Sequence, residues 1–199
     1  MTRTALLFPL AGLLTLAQLA GCRGEPTTPT RPDQMLSVGD LASKSPAATV
    51  ERDVATLRAA TTRFHRFDAA RKASYTYLFM NTCMTDGSAP SRGAMGYHYV
   101  NTGLLDGTVD VATPEALLYE PGAQGELALV GVEYVIPQAA WAGPGKPKLF
   151  GREFTLNGFG LWALHVWAWR DNPSGIFADW NPRVSCEHAS AGASAMAAH

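Results

Sequence analysis

The chain lacks the signatures that announce most chemistries. No Gly-x-Ser-x-Gly elbow, P-loop or dinucleotide fingerprint occurs, so nothing supports the familiar serine-hydrolase, nucleotide-hydrolysing and dinucleotide-binding readings. Ser185, beside Cys186, has no evident base. There is no His-x-Glu, no His-Glu-x-x-His and no Cys-x-x-Cys, which removes the self-declaring zinc motifs and a thioredoxin-like redox pair. Basic residues form no stripe and no cationic amphipathic helix, so nucleic acid is not an expected partner. No internal repeat stands out. No apolar run reaches the roughly 20 residues that a membrane-spanning helix needs.

What is present begins at the N-terminus. Arg3 precedes an apolar stretch, residues 5–20, interrupted by Pro9 and Gly12. The stretch closes on Leu19-Ala20-Gly21-Cys22. This pattern resembles the signal peptide of bacterial lipoproteins, with all four positions of the lipobox matched. The resemblance implies that residues 1–21 are a signal peptide and that Cys22 becomes the lipidated N-terminus, carrying palmitate-like acyl chains. Buried acyl chains contribute about 0.8 kcal/mol per CH₂, and two or more hold a protein at a bilayer. The membrane is therefore an expected partner through this lipid. Arg23 follows the cysteine where aspartate would favour the inner membrane, which implies an outer-membrane anchor facing the periplasm. Residues 22–44, with Pro26, Pro29 and Pro32 among Thr27, Thr28 and Thr30, read as a semi-rigid tether. The whole chain holds 16 basic and 17 acidic residues; removing the leader takes Arg3 alone and leaves a formal charge of −2.

Three cysteines occur in the chain. With Cys22 lipidated, Cys83 and Cys186 remain, and an oxidising compartment favours their pairing. Closing a loop of this length is worth up to about 4–5 kcal/mol in the chain-entropy account.

The folded part is expected at residues 45–188, a single domain, with 189–199 a disordered tail. Ser45-Pro46 is a helix start. Val50, Val54, Leu57, Thr61 and Phe64 then share one helical face, predicting an amphipathic helix that continues to about Tyr75. Residues 77–80 read as a buried strand or a last helical turn, and 86–93 as a loop. Short strands follow: 97–101, then 117–120 and 127–136 around a hairpin loop at 121–125, then 160–169. Residues 137–147 and 171–182 read as loops. One helix followed by strands, without alternating helices, predicts an α+β fold with a largely antiparallel sheet.

Two constellations in this frame carry candidate chemistry. Glu133 interrupts the apolar strand Leu129–Ile136, where an unpaired carboxylate is costly. Alternation places it with Gly131 and Val135, opposite Val132 and Tyr134. His98 and His165 lie on strands of their own. If the three meet, they form a first shell for a divalent metal such as zinc with an open position. His65 and Asp68, on the helix, are candidates for an outer shell. The simpler alternative is that the histidines are hydrogen-bonded within the sheet and Glu133 pairs with Arg152 or Arg170. The second constellation is aromatic. Alternation puts Trp167 and Trp169 on the same side as His165, and with Trp180 and the polar rim Asp171, Asn172, Asp179 and Asn181 they would suit a carbohydrate or another small amphipathic ligand. The alternative is an aromatic core.

Three runs, Gly96–Asn101, Val132–Pro137 and Leu164–Pro173, the last continuing through Phe177–Cys186, resemble a family of exported bacterial proteins to which no activity is assigned. Pro114-Glu115-Ala116-Leu117 and Tyr119-Glu120-Pro121 lie between them. The resemblance covers residues 50–186 and implies one export-associated domain. The leading expectation is an envelope lipoprotein with a binding or structural role and a divalent-metal site. The competing ones are a metal-dependent hydrolase, with Glu133 as ligand or general base, and an aromatic-lined carbohydrate or small-ligand binder.

Overall fold

The computed structural model describes residues 45–190. The expected signal segment, Cys22, the tether and the tail from Ala191 lie outside the described residues. Ser45 caps the first helix by accepting the Ala48 amide at 3.1 Å, and Pro46 occupies its first turn. Helix α1 (Pro46–Thr61) passes into a 3₁₀ turn (Thr62–His65). The backbone is extended at Arg66, and a short helix α2 (Phe67–Lys72) follows. The single helix expected to about Tyr75 is therefore broken. A tertiary hydrogen bond sits at the break. The Phe64 carbonyl, which a continuing helix would use, accepts the Tyr119 hydroxyl at 2.7 Å.

Eight strands follow: β1 (Tyr77–Thr85), β2 (Ala94–Val100), β3 (Ala116–Pro121), β4 (Leu127–Pro137), β5 (Lys148–Leu149), β6 (Arg152–Glu153), β7 (Thr155–Leu156) and β8 (Leu161–Val166). Six form one curled antiparallel sheet in the order β1-β2-β3-β4-β8-β7, and β5 pairs with β6 in a small ribbon. The α+β expectation stands at this level: helices first, then an antiparallel sheet.

The sheet has two unlike faces. Val54, Leu57 and Phe64 of the helical segment pack with Tyr97, Tyr99, Leu117, Tyr119, Val132, Tyr134, Leu164 and Val166 into the main core. A smaller cluster on the other face joins Ala94, Leu118, Val130, Trp167 and Val184. Gly131 matters here. A Cβ at this position would lie 2.9 Å from the Val166 carbonyl oxygen and 3.3 Å from the Trp167 ring.

Strand β1 is neither a buried strand nor a helical turn. It is a half-exposed edge strand, and its register with β2 shifts between Leu78 and Cys83. Met80 and Asn81 there adopt left-handed backbone, at φ 57° and 51°. Such a bulge bends an edge and re-aims its side chains. Strand β8 ends at Val166, earlier than expected, because the chain tightens there: the Ala168 amide donates back to the Val166 carbonyl at 2.9 Å. The 171–186 segment returns along the sheet. Ala94 and Asn181 form an isolated bridge, and the Ser185 amide donates to Glu120 at 2.9 Å. The Cys83–Cys186 disulfide, with Cα atoms 5.8 Å apart, closes it onto the edge strand. Ala189, assigned to the tail, donates its amide to the Cys186 carbonyl and packs on the main core.

Candidate metal centre

Strands β2, β4 and β8 each contribute one side chain to the face away from α1. Glu133 and His165 are direct cross-strand partners. His98 stands two strands from Glu133 and reaches it across β3. The β3 residue opposite Glu133 is Ala116, whose methyl group is short enough to leave the two groups in view of each other. His98 Nε2 lies 3.6 Å from Glu133 Oε2, and His165 Nε2 lies 3.6 Å from Glu133 Oε1. One donor atom from each of the three residues fits within a 4.8 Å span.

These separations are too long for hydrogen bonds. They are close to the spacing of donors around a metal: bond lengths near 2.0–2.2 Å at a tetrahedral zinc put neighbouring donors roughly 3.3–3.6 Å apart. Both rings are buried, at 2 % and 4 % exposure. Yet among the described residues His98 Nδ1 and both nitrogens of His165 lack a hydrogen-bond partner. A buried, unsatisfied polar group costs on the order of 1–3 kcal/mol, and of these atoms His165 Nε2 is the one that faces Glu133.

The electrostatics separate the two rings. Burial pushes the His98 pKa down to about 4, a charged His165 acts in the same direction, and the Glu133 carboxylate opposes both. Burial disfavours charge on His165 too, but Glu133 and Asp179 outweigh it and raise its pKa. Without a metal, His98 is neutral at pH 7. A divalent cation binds an unprotonated imidazole nitrogen, so any proton held at His165 Nε2 leaves when the cation enters.

The outer carboxylate comes from a residue outside the expected metal set. Asp179 Oδ1 lies 3.7 Å from His165 Nδ1, an ion-pair contact. From there it favours the ring orientation that aims Nε2 at Glu133. It sits in a loop 14 positions from His165, and no local pattern links the two. His65 and Asp68, assigned this role from sequence, are not at the cluster. The His65 ring meets Trp169 edge-on at 4.4 Å, and Asp68 begins α2. Both belong to the helical layer, on the other side of the sheet.

Glu133 is not paired with either arginine considered for it. Arg170 pairs with Glu120, and the Arg152 guanidinium lies 5.4 Å from the Phe177 ring centroid. The three tryptophans do not share one platform. The turn after Val166 breaks the alternation, so Trp167 stays on the histidine face, stacked 6.3 Å from His165. Trp169 falls on the helix face and donates to Thr61 Oγ1 at 3.2 Å. Trp180 alone among them lines the cavity above the histidines.

That cavity is about 500 Å³, with His98, Glu133 and His165 in its lining. Its size lies within the range of about 300–1,000 Å³ usual for small-molecule sites. Its walls are largely apolar, and they span the sheet from Tyr77 and Phe79 of β1 to Phe159 and Leu161 at the other side. The curl of the sheet brings Phe79 and Phe159 into edge contact, 5.2 Å between ring centroids. A second buried carboxyl, Glu115, was not singled out from sequence. It accepts the Val135 amide at 2.9 Å just past the last β3–β4 pair, and burial raises its pKa to about 8.

Comparisons with models of known families, with curated proteins and with solved structures find no match. No helix among the described residues is long and apolar enough to cross a membrane.

Proposed function

We propose that this chain is a divalent-metal-binding protein of the bacterial envelope, with one cation held by His98, Glu133 and His165. One observation carries the reading: two buried imidazoles and a carboxylate present donor atoms within 4.8 Å of one another, and His165 Nε2, which faces Glu133, has no hydrogen-bond partner among the described residues. Nitrogen and oxygen donors in this number suit zinc and leave a coordination position for a further ligand. A bound cation of this kind supplies a Lewis-acidic site at that position. Because Glu133, the cluster's own carboxylate, serves as a ligand, binding is the activity the geometry supports best.

Zinc loading followed by dialysis and elemental analysis tests this. The wild-type chain is expected to retain one equivalent. His98→Ala and His165→Ala are expected to retain none. Less than about a tenth of an equivalent in the wild type, after exposure to zinc, copper and cobalt in turn, overturns the reading.

The envelope assignment rests on Leu19-Ala20-Gly21-Cys22. The Cys83–Cys186 disulfide suits an oxidising compartment. In a bacterial host, labelled palmitate is expected to enter the chain and to be lost in Cys22→Ser. An unlabelled wild-type product that retains Met1 rejects the lipid anchor.

A further inference from the structure

The metal accounts for the polar floor of the cavity but not for its walls. Phe79 stands 6.5 Å from the His98 ring, so the aromatic lining extends to the ligand set itself. Leu161, Val135 and Tyr77 continue that lining. At the rim, Tyr77 and Phe159 are more than half exposed, at 53 % and 54 %. Large aromatic groups left in water around a cavity mouth mark a place where an apolar body is received. A polyhydroxylated sugar would find few partners there for its hydroxyl groups. Water alone on the cation would leave the apolar walls without a function.

Charge completes the argument. A divalent cation with the Glu133 carboxylate and two neutral imidazoles retains one positive charge within its own ligand set, with the Asp179 carboxylate outside that set against His165 Nδ1. The matching head group is a single anion with a metal-coordinating oxygen. Taking the metal reading as its premise, we infer that the cavity binds an amphipathic monocarboxylate. Its carboxylate occupies the open position on the cation, and its aliphatic or aryl tail lies along Phe79, Leu161 and Phe159.

The test uses the full chain loaded with Co²⁺, whose visible absorption reports the coordination sphere. The probes are sodium octanoate, 3-phenylpropionate and acetate. Octanoate and 3-phenylpropionate are expected to shift the Co²⁺ band. They are also expected to bind at least about tenfold more tightly than acetate, because only they carry apolar surface to bury. Octanoate is expected to bind at least about tenfold more weakly to the metal-free chain, which lacks the cation that its carboxylate would coordinate. Phe159→Ala, a largely exposed position, is expected to weaken octanoate severalfold while Co²⁺ uptake stays unchanged.

Each contrary result is decisive. Octanoate no tighter than acetate on the Co²⁺-loaded chain rejects the tail site and leaves the metal site standing. Equal octanoate affinity with and without Co²⁺ rejects coordination by the head group. Unchanged octanoate affinity in Phe159→Ala rejects the assigned wall. Absence of Co²⁺ uptake overturns the metal reading itself, and the ligand assignment falls with it.

Discussion

On the face of the sheet that carries α1, buried tyrosines end on carbonyl oxygens: Tyr75 on Pro114, Tyr119 on Phe64 and Tyr134 on Val111, each at 2.7 Å. The Arg58 guanidinium reaches the Ala168 carbonyl at 2.8 Å. On the opposite face, His98 and His165 are just as buried, yet among the described residues three of their nitrogens make no hydrogen bond, and the two of His165 have only ion-pair contacts, Nδ1 with Asp179 and Nε2 with Glu133. The Tyr97 hydroxyl is the exception on the helix face, buried with no hydrogen-bond partner among the described residues. The same six strands build both faces, so the fold is able to satisfy polar groups where it needs only stability. Imidazole nitrogens without hydrogen bonds beside a cavity of about 500 Å³ distinguish this face as the one with room for a ligand. The two faces are also closed differently. A helix and its apolar stripe cover one. A loop, held by the disulfide, closes part of the other.

The contrast makes graded predictions. The largest effect is expected from unfastening that loop. Cys83→Ser with Cys186→Ser should lower stability in urea denaturation by up to about 4–5 kcal/mol, the value for a closed loop of this length; no change in midpoint would mean that the loop holds without its link. Leu117→Ala, in the fully buried core of the helix face, should cost about 2–5 kcal/mol. Wherever that variant remains folded, its zinc stoichiometry should equal that of the wild type.

The next effect depends on pH. The Glu115 pKa is raised from 4.5 to about 8 in the folded state. The folded state therefore holds this proton more tightly than the unfolded chain does. Its stabilisation is complete below pH 4.5 and is lost as pH rises through about 8. Glu115→Gln keeps an acceptor for the Val135 amide but cannot titrate. Denaturation midpoints measured from pH 5 to 9 should fall less steeply in this variant than in the wild type, and parallel curves would remove Glu115 as the cause.

Tyr119→Phe, which deletes one of the satisfied hydroxyls, should cost about 1–2 kcal/mol by leaving the Phe64 carbonyl short of a donor. The smallest effect on stability belongs to the other face. His98→Leu replaces an unsatisfied ring by an apolar group of similar bulk, so the metal-free chain should stay within about 1 kcal/mol of the wild type while losing zinc uptake. A loss as large as that of Leu117→Ala would show that the two faces do not differ in the way described.

Much of this was legible along the chain. Ser45-Pro46 and the spacing from Val50 to Phe64 announced α1 because capping and helical periodicity are local. The run from Leu129 to Ile136 displayed both its strand and its anomaly, since Glu133 stands among apolar residues. Alternation assigned the side chains of β4 to their faces. The same rule failed beyond Val166, where a backbone turn shifts the period and sends Trp169 to the helix face. It also carried no information about His65. A helical residue shows its own face, not which side of a sheet the helix will cover.

Local chemistry along the chain determined the helix start, strands β2, β3, β4 and the start of β8, the chemically sensible cysteine pair and three residues, His98, Glu133 and His165, in need of partners. Tertiary structure alone decided that His98 reaches Glu133 over Ala116, that Asp179 supplies the outer carboxylate, and that Phe79 meets Phe159 above them. The reason is physical. Periodicity governs the side to which a residue points within its own element, whereas register, sheet curl and loop return depend on contacts between residues far apart in the chain.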